Sequence, residues 1–176
     1  ARLLRRLHAK VRVLALASPT ELTRDVAKMY KQFVRGAGKS SVYPYTSKAH
    51  AQALLRDSDI LIDALLGTGL SSPVTGRYAE VIDSINEAHR PVVAVDLPSG
   101  LHADTGATLG RAVCASLTVT FGLPKLGLYQ GQGIDHAGEV AIVGIGIPPA
   151  YVDAVASRIT LIARSAVQTY LPTRHP

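Results

Sequence analysis

The pattern that most restricts what this chain can fold into is a series of short apolar runs, each ending in a loop of glycines, prolines and acids. Residues 60–65 read as a buried strand, 92–95 as a strand of β-branched residues, and 117–121 and 140–143 as two more. Between the first two, Tyr78, Val81, Ile82 and Ile85 recur at i, i+3, i+4 and i+7, one face of an amphipathic helix. Strands that alternate with helices imply βαβ units and a mostly parallel sheet. Earlier, Val11, Val13 and Ala15 alternate within a strand over residues 11–17. Thr20 is placed to cap a helix carrying Leu22, Val26, Met29, Tyr30 and Phe33, which Gly36 can end. Residues 42–45 read as a short strand or loop, and 47–56 as a further helix.

The expected architecture is therefore α/β, Rossmann-like, with helices on both faces of the sheet. One domain is expected over residues 1–170, with 171–176, which hold Pro172 and Pro176, as a linker or tail. Residues 1–9 read as the end of a helix, with Leu3, Leu4 and Leu7 on one face. A doubly wound domain opens on a strand and a turn into its first helix. The first strand and its loop are thus expected upstream of Ala1, in a longer protein.

With 47% apolar and 18% charged residues among 176, the chain can bury a core. Its apolar runs are too short to span a bilayer. The single cysteine, Cys114, excludes an internal disulfide and points to a reducing compartment, cytoplasmic or, in a eukaryote, mitochondrial. The net charge of +6 is concentrated early: Arg2, Arg5, Arg6, Lys10, Arg12, Arg24, Lys28, Lys31, Arg35 and Lys39 face only Glu21 and Asp25. A solvated basic face is the simplest account. Aromatic residues are not interleaved with this charge, which argues against a nucleic-acid stacking platform.

Ligands of open parallel sheets sit outside the carboxyl ends of the strands, and three loops there carry unusual residues. In the first, Asp63 is an acid within an apolar run and must be paired, hydrogen-bonded or bound to a cation. Gly67 and Gly69 allow backbone N–H groups close to a phosphate, although the spacing is not the dinucleotide fingerprint and a tight strand-to-helix turn needs glycines too. In the second, Asp96 ends a strand, where its carboxylate points into the crevice or caps the turn, and Ser99 adds a hydroxyl. In the third, Lys125 follows Pro124 and can hold a phosphate, tune a neighbouring carboxylate or stand in solvent. His102 and His136 read as loop residues facing solvent, and no cluster has transition-metal spacing.

Together, residues 61–73, 95–106 and 118–127 resemble the three signature blocks of the NAD(P)HX epimerase family, the YjeF N-terminal domain. The resemblance implies a Rossmann-like isomerase of nicotinamide nucleotide repair, which interconverts the R and S epimers at C6 of hydrated NADH and NADPH. The nucleotide is then substrate and not redox cofactor. Asp63 and Ser99 match potassium-binding positions. Gly67, Thr68, Gly69, Leu70, Ser71, Ser72 and Pro73 match a substrate-binding segment, and Asp96 a substrate-contacting acid. Asp96 is read as the acid–base group, with Lys125 positioning phosphate or raising the acidity of the site. The family's Asn- and Gly-rich loop after the first strand is absent from the sequence. An ADP- or ATP-dependent dehydratase, fused or separate, is the implied partner, and a homo-oligomer is left open. The alternative reading is a binding or scaffold module without turnover.

Overall fold

The computed structural model describes residues 1–155, 159–162 and 167; the expected linker 171–176 lies outside them. Six strands and six α-helices are described: α1 (Arg2–Arg6), β1 (Val13–Ala15), α2 (Arg24–Ala37), β2 (Val42–Pro44), α3 (Lys48–Arg56), β3 (Leu61–Asp63), α4 (Gly76–Glu87), β4 (Val92–Val95), β5 (Leu117–Phe121), α5 (Gly133–Ala137), β6 (Glu139–Val143) and α6 (Pro149–Ala154). The chain divides into two units, Ala1–Val143 and Gly144–Pro176. In the second unit, α6 opens with Pro149 at its first turn, where a missing N–H costs nothing.

All described strand pairs within the sheets are parallel, as alternating strands and helices require. β3, β4, β5 and β6 form one sheet in that order, and β1 pairs with β2 in a second. The register sets Asp63 beside Ala94, and Ala94 beside Thr118. One face of the four-stranded sheet thus carries Leu61, Asp63, Val92, Ala94, Thr118 and Thr120, all buried. Helix α4 covers it with Val81, Ile82 and Ile85, at the spacing seen in the sequence; Leu14, Leu16 and Ala51 join the same core. Each fully buried Val or Ile among them contributes about 1.5–3 kcal/mol by leaving water. Tyr30 of helix α2 lines a cleft with Ala15, Val42 and Pro44. The fold is therefore α/β and Rossmann-like, with parallel sheets and helices.

Three local expectations are corrected. The strand read over residues 60–65 as buried is only half so: Leu61 and Asp63 are buried, whereas Ile60 is 59% and Ile62 49% exposed. Ile62 shares the opposite face with Val95 and Val143, also exposed, and no described helix covers those side chains. The cap of α2 is Thr23, not Thr20, whose hydroxyl is instead hydrogen-bonded to that of Ser18 at 2.8 Å. The helix also runs past Gly36 to Ala37, and Gly38, at φ +79°, ends it. Ser47 caps α3 through its side chain, which accepts from the His50 N–H at 3.2 Å. Of the early basic residues, Arg12 pairs with Asp57 at 2.6 Å and the others lie on the surface.

Candidate active site

The strands β3, β4 and β5 end side by side, and each delivers polar groups to the same edge. Asp63 is the last residue of β3 and is 1% exposed. Ser99, three residues beyond Asp96, turns back on it: its N–H donates to Asp63 Oδ2 at 2.7 Å and its hydroxyl to Oδ1 at 2.6 Å. The Leu65 N–H also donates to Oδ1, at 3.3 Å, and the Leu66 N–H to the Ser99 hydroxyl, at 2.9 Å. Burial nevertheless dominates and raises the Asp63 pKa, against the hydrogen bonds from Ser99 and Leu65. No described ion pair supplies it with a cation. The carboxylate is ordered by neutral donors, and no ion pair among the described residues offsets its charge.

Asp96 continues β4 by one residue, its N–H donating to Val119 O at 2.8 Å. Its φ is +71°, a left-handed conformation that Asp tolerates better than most residues but that still costs of order 1–3 kcal/mol. The turn aims the carboxylate across to β5. There Oδ1 accepts from the Thr120 hydroxyl at 3.1 Å, the Phe121 N–H at 3.0 Å and the Lys125 ammonium at 2.5 Å. Lys125 Nζ also donates to Phe121 O at 2.9 Å. Partial burial pushes the Asp96 pKa up, but the Lys125 hydrogen bond, the Phe121 N–H, the Lys125 charge and the Thr120 hydroxyl together outweigh it, and the net shift is downward. Asp96 is accordingly an ionised carboxylate at neutral pH, with Oδ1 engaged and no hydrogen bond described for Oδ2.

The candidates from the sequence thus fall into two contacts, Asp63 with Ser99 and Asp96 with Lys125, joined by the short turn from 96 to 99. In the loop Gly67, Thr68, Gly69, Leu70, Ser71, Ser72 and Pro73, Leu70 packs on the core, while a Cβ at Gly67 or Gly69 would meet nothing within 4 Å. Protein packing does not explain those two glycines. Thr120 and the Phe121 N–H were missed; the signal was the alternation of Leu117, Thr118, Val119 and Thr120, which sets two hydroxyls on the inward face of β5. Thr118 spends its hydroxyl on Ala137 O at 2.7 Å. His136 is corrected: it lies in α5, half-buried, with Nδ1 3.1 Å from Val113 O. His102 is half-buried too, its Nδ1 accepting from the Asp104 and Thr105 N–H groups.

The loops that hold these groups are knitted together by glycines. The Gly127 N–H donates to Ala103 O at 2.6 Å, and a Cβ on Gly127 would lie 2.3 Å from His102 O. A Cβ on Gly133 would lie 1.7 Å from Gly127 O. Backbone-to-backbone contact of this kind fixes the segment after Lys125 against the segment after Ser99.

The chain is 56% identical over 90 residues to the NAD(P)H-hydrate epimerase of Limosilactobacillus fermentum, covering 51% of this chain and 43% of that protein. It is 38% identical over its full 176 residues to the bifunctional NAD(P)H-hydrate repair enzyme Nnr of Thermofilum pendens, of which it covers 33%. The like-named enzyme of Moorella thermoacetica is 38% identical over 167 residues, 94% of this chain and 32% of that enzyme. The chain spans about a third to two-fifths of the length of these relatives. The model of the family described as YjeF-related protein N-terminus matches residues 1–127, which takes in Asp63, Gly67–Pro73, Asp96, Ser99, Thr120 and Lys125, and the chain belongs to that family.

Proposed function

We propose that this chain carries out epimerisation at C6 of hydrated NADH and NADPH. The observation that supports it most is Asp96, an ionised carboxylate held in left-handed backbone at the carboxyl edge of the sheet by Lys125, Thr120 and the Phe121 N–H. The C6 hydroxyl of the hydrate lies next to the ring nitrogen, whose lone pair can expel it as water once it is protonated. Water then adds back to either face of the iminium-like ring and loses a proton. Atoms and electrons balance with no redox step. The Lys125 ammonium, hydrogen-bonded to Asp96, would supply the proton to the departing hydroxyl and ionised Asp96 would take one from the water that adds back, worth about 10²–10⁴ in rate; proton transfer from Asp96 to Lys125 then restores the pair. Lys125 keeps the carboxylate ionised and in place between turnovers.

A monovalent cation suits Asp63 and Ser99. The buried carboxylate and the serine hydroxyl are hard oxygen donors of the kind potassium takes. Bound there, it would offset the buried charge and hold the 96–99 turn at the substrate. Gly67 and Gly69, free of packing constraints, leave room for the substrate's phosphates against the backbone.

The two sheets bear on the whole protein. β1 and β3 share a core but do not pair, and each keeps one edge free of described strand partners. A further strand between them, with a loop reaching the same carboxyl edge, would unite the sheets; the expected first strand fits that place. The relatives named bifunctional make a dehydratase in the same protein the natural companion.

The test is to give the complete gene product the R epimer of hydrated NADH and follow both epimers by chirality-sensitive chromatography. Equilibration well above the spontaneous rate is expected. A module that only binds would leave the spontaneous rate unchanged.

A further inference from the structure

We propose that the cleft over the carboxyl ends of β1 and β2 is a second subsite, which holds a nucleoside monophosphate moiety. That this moiety belongs to the hydrated dinucleotide rests on the function proposed above; the subsite itself rests on the cleft. The cleft has a volume of ≈ 320 Å³, at the lower end of the range for small-molecule pockets. Its walls come from four elements: Ser18 and Glu21 follow β1, Tyr30 comes from α2, Pro44 and Tyr45 from the end of β2, and Arg77 from the first turn of α4. It lies within the same unit as Asp96, at the sheet edge where parallel sheets bind ligands.

The chemistry of these walls matches the three parts of such a ligand. Tyr30 and Tyr45 are half-buried and line the cleft, aromatic side chains of the kind on which a base stacks. The Tyr45 hydroxyl is tied to Glu80, which fixes its ring. Arg77 is exposed, forms no ion pair among the described residues, and presents a planar donor fork suited to phosphate. Glu21 is held by the Ser18 N–H, which donates to its Oε2 at 2.7 Å, so an oriented carboxylate is available to ribose hydroxyls. Dinucleotide sites commonly place an acid near the end of the neighbouring strand for this purpose. Neither Glu21, Tyr30 nor Arg77 has any part in the Asp63–Ser99 or Asp96–Lys125 contacts.

The experiment is calorimetric titration of the complete gene product with adenosine 5′-monophosphate, followed by the hydrate turnover assay on the same protein. Saturable binding is expected, weakened at least about tenfold in Arg77→Ala and several-fold in Glu21→Gln, and unchanged in Asp96→Asn. In turnover, Arg77→Ala should raise KM and spare kcat. Circular dichroism and melting of Arg77→Ala should match the parent, because the side chain is exposed. Absence of binding, or binding indifferent to Arg77, overturns the subsite. Arg77-dependent binding in a protein that does not epimerise upholds the subsite and sinks the proposed activity; turnover with no Arg77-dependent binding does the reverse.

Discussion

Asp96 and Asp63 are two carboxylates on adjacent strands with opposite electrostatic fates. The net shift of Asp96 is downward, although its partial burial works the other way, because Lys125, the Phe121 N–H and Thr120 favour the charged form. Its unfolded pKa is near 3.8, so its contribution to stability is present above that pH and is lost as the pH falls through the lower folded value. The acid limb of turnover should therefore lie below the ordinary aspartate range. Lys125→Met should move that limb upward and lower kcat, and a pH–rate profile reads both; an unmoved limb would show that Lys125 does not tune Asp96. Asp63 is shifted the other way, by burial above all. Its folded form holds a proton more tightly than the unfolded chain, so stability falls as the pH rises from about 3.8 to the folded value, and stays lower above it. A cation on Asp63 would restore stability only above that window. Melting is expected to be higher in potassium than in lithium at equal ionic strength near neutral pH, with the difference absent in Asp63→Ala. Equal melting temperatures in both salts at neutral pH would count against the cation site.

At the scale of elements, the loops are as constrained as the strands. Gly127→Ala would force a Cβ to 2.3 Å from His102 O and 2.6 Å from Ala103 O, both backbone atoms that cannot swing aside. The predicted cost is about 2–4 kcal/mol, seen as a lower melting temperature. Gly69→Ala meets nothing within 4 Å and should melt like the parent while weakening substrate binding, which separates a ligand glycine from a packing glycine. The sequence was most legible where one period held without interruption. β4 and β5 match their expected bounds, and α4 carries its apolar face as spaced. The start of α2 was misplaced because Thr20 and Thr23 are equally good caps by type, and the choice depends on Thr20 turning to Ser18. Asp63, Asp96, Ser99 and Lys125 stand out singly in the sequence, each a polar residue beside an apolar run. Their pairing did not, because it depends on which strands are neighbours. Thr120 stayed hidden because threonine is a common strand residue whatever it bonds to.

At the scale of the whole molecule, the edges of β1 and β3 without a strand partner among the described residues, and the exposed Ile62, Val95 and Val143, set the expectation for the complete protein. Backbone amides of Val13–Ala15 and Leu61–Asp63 should exchange with solvent more slowly in the complete gene product than in the 176 residues alone, since a strand set between them would pair both edges. Equal exchange in the two would argue against that strand. The central claim is that Asp96 moves the proton in epimerisation, and the Asp96→Asn variant of the complete gene product tests it most directly. Asparagine keeps the shape and also tolerates φ near +71°, so the fold and melting temperature should persist. Turnover of the R epimer of hydrated NADH, corrected for the spontaneous rate, should fall by at least about 100-fold. A folded Asp96→Asn protein that interconverts the epimers at a near-parental rate would contradict the account.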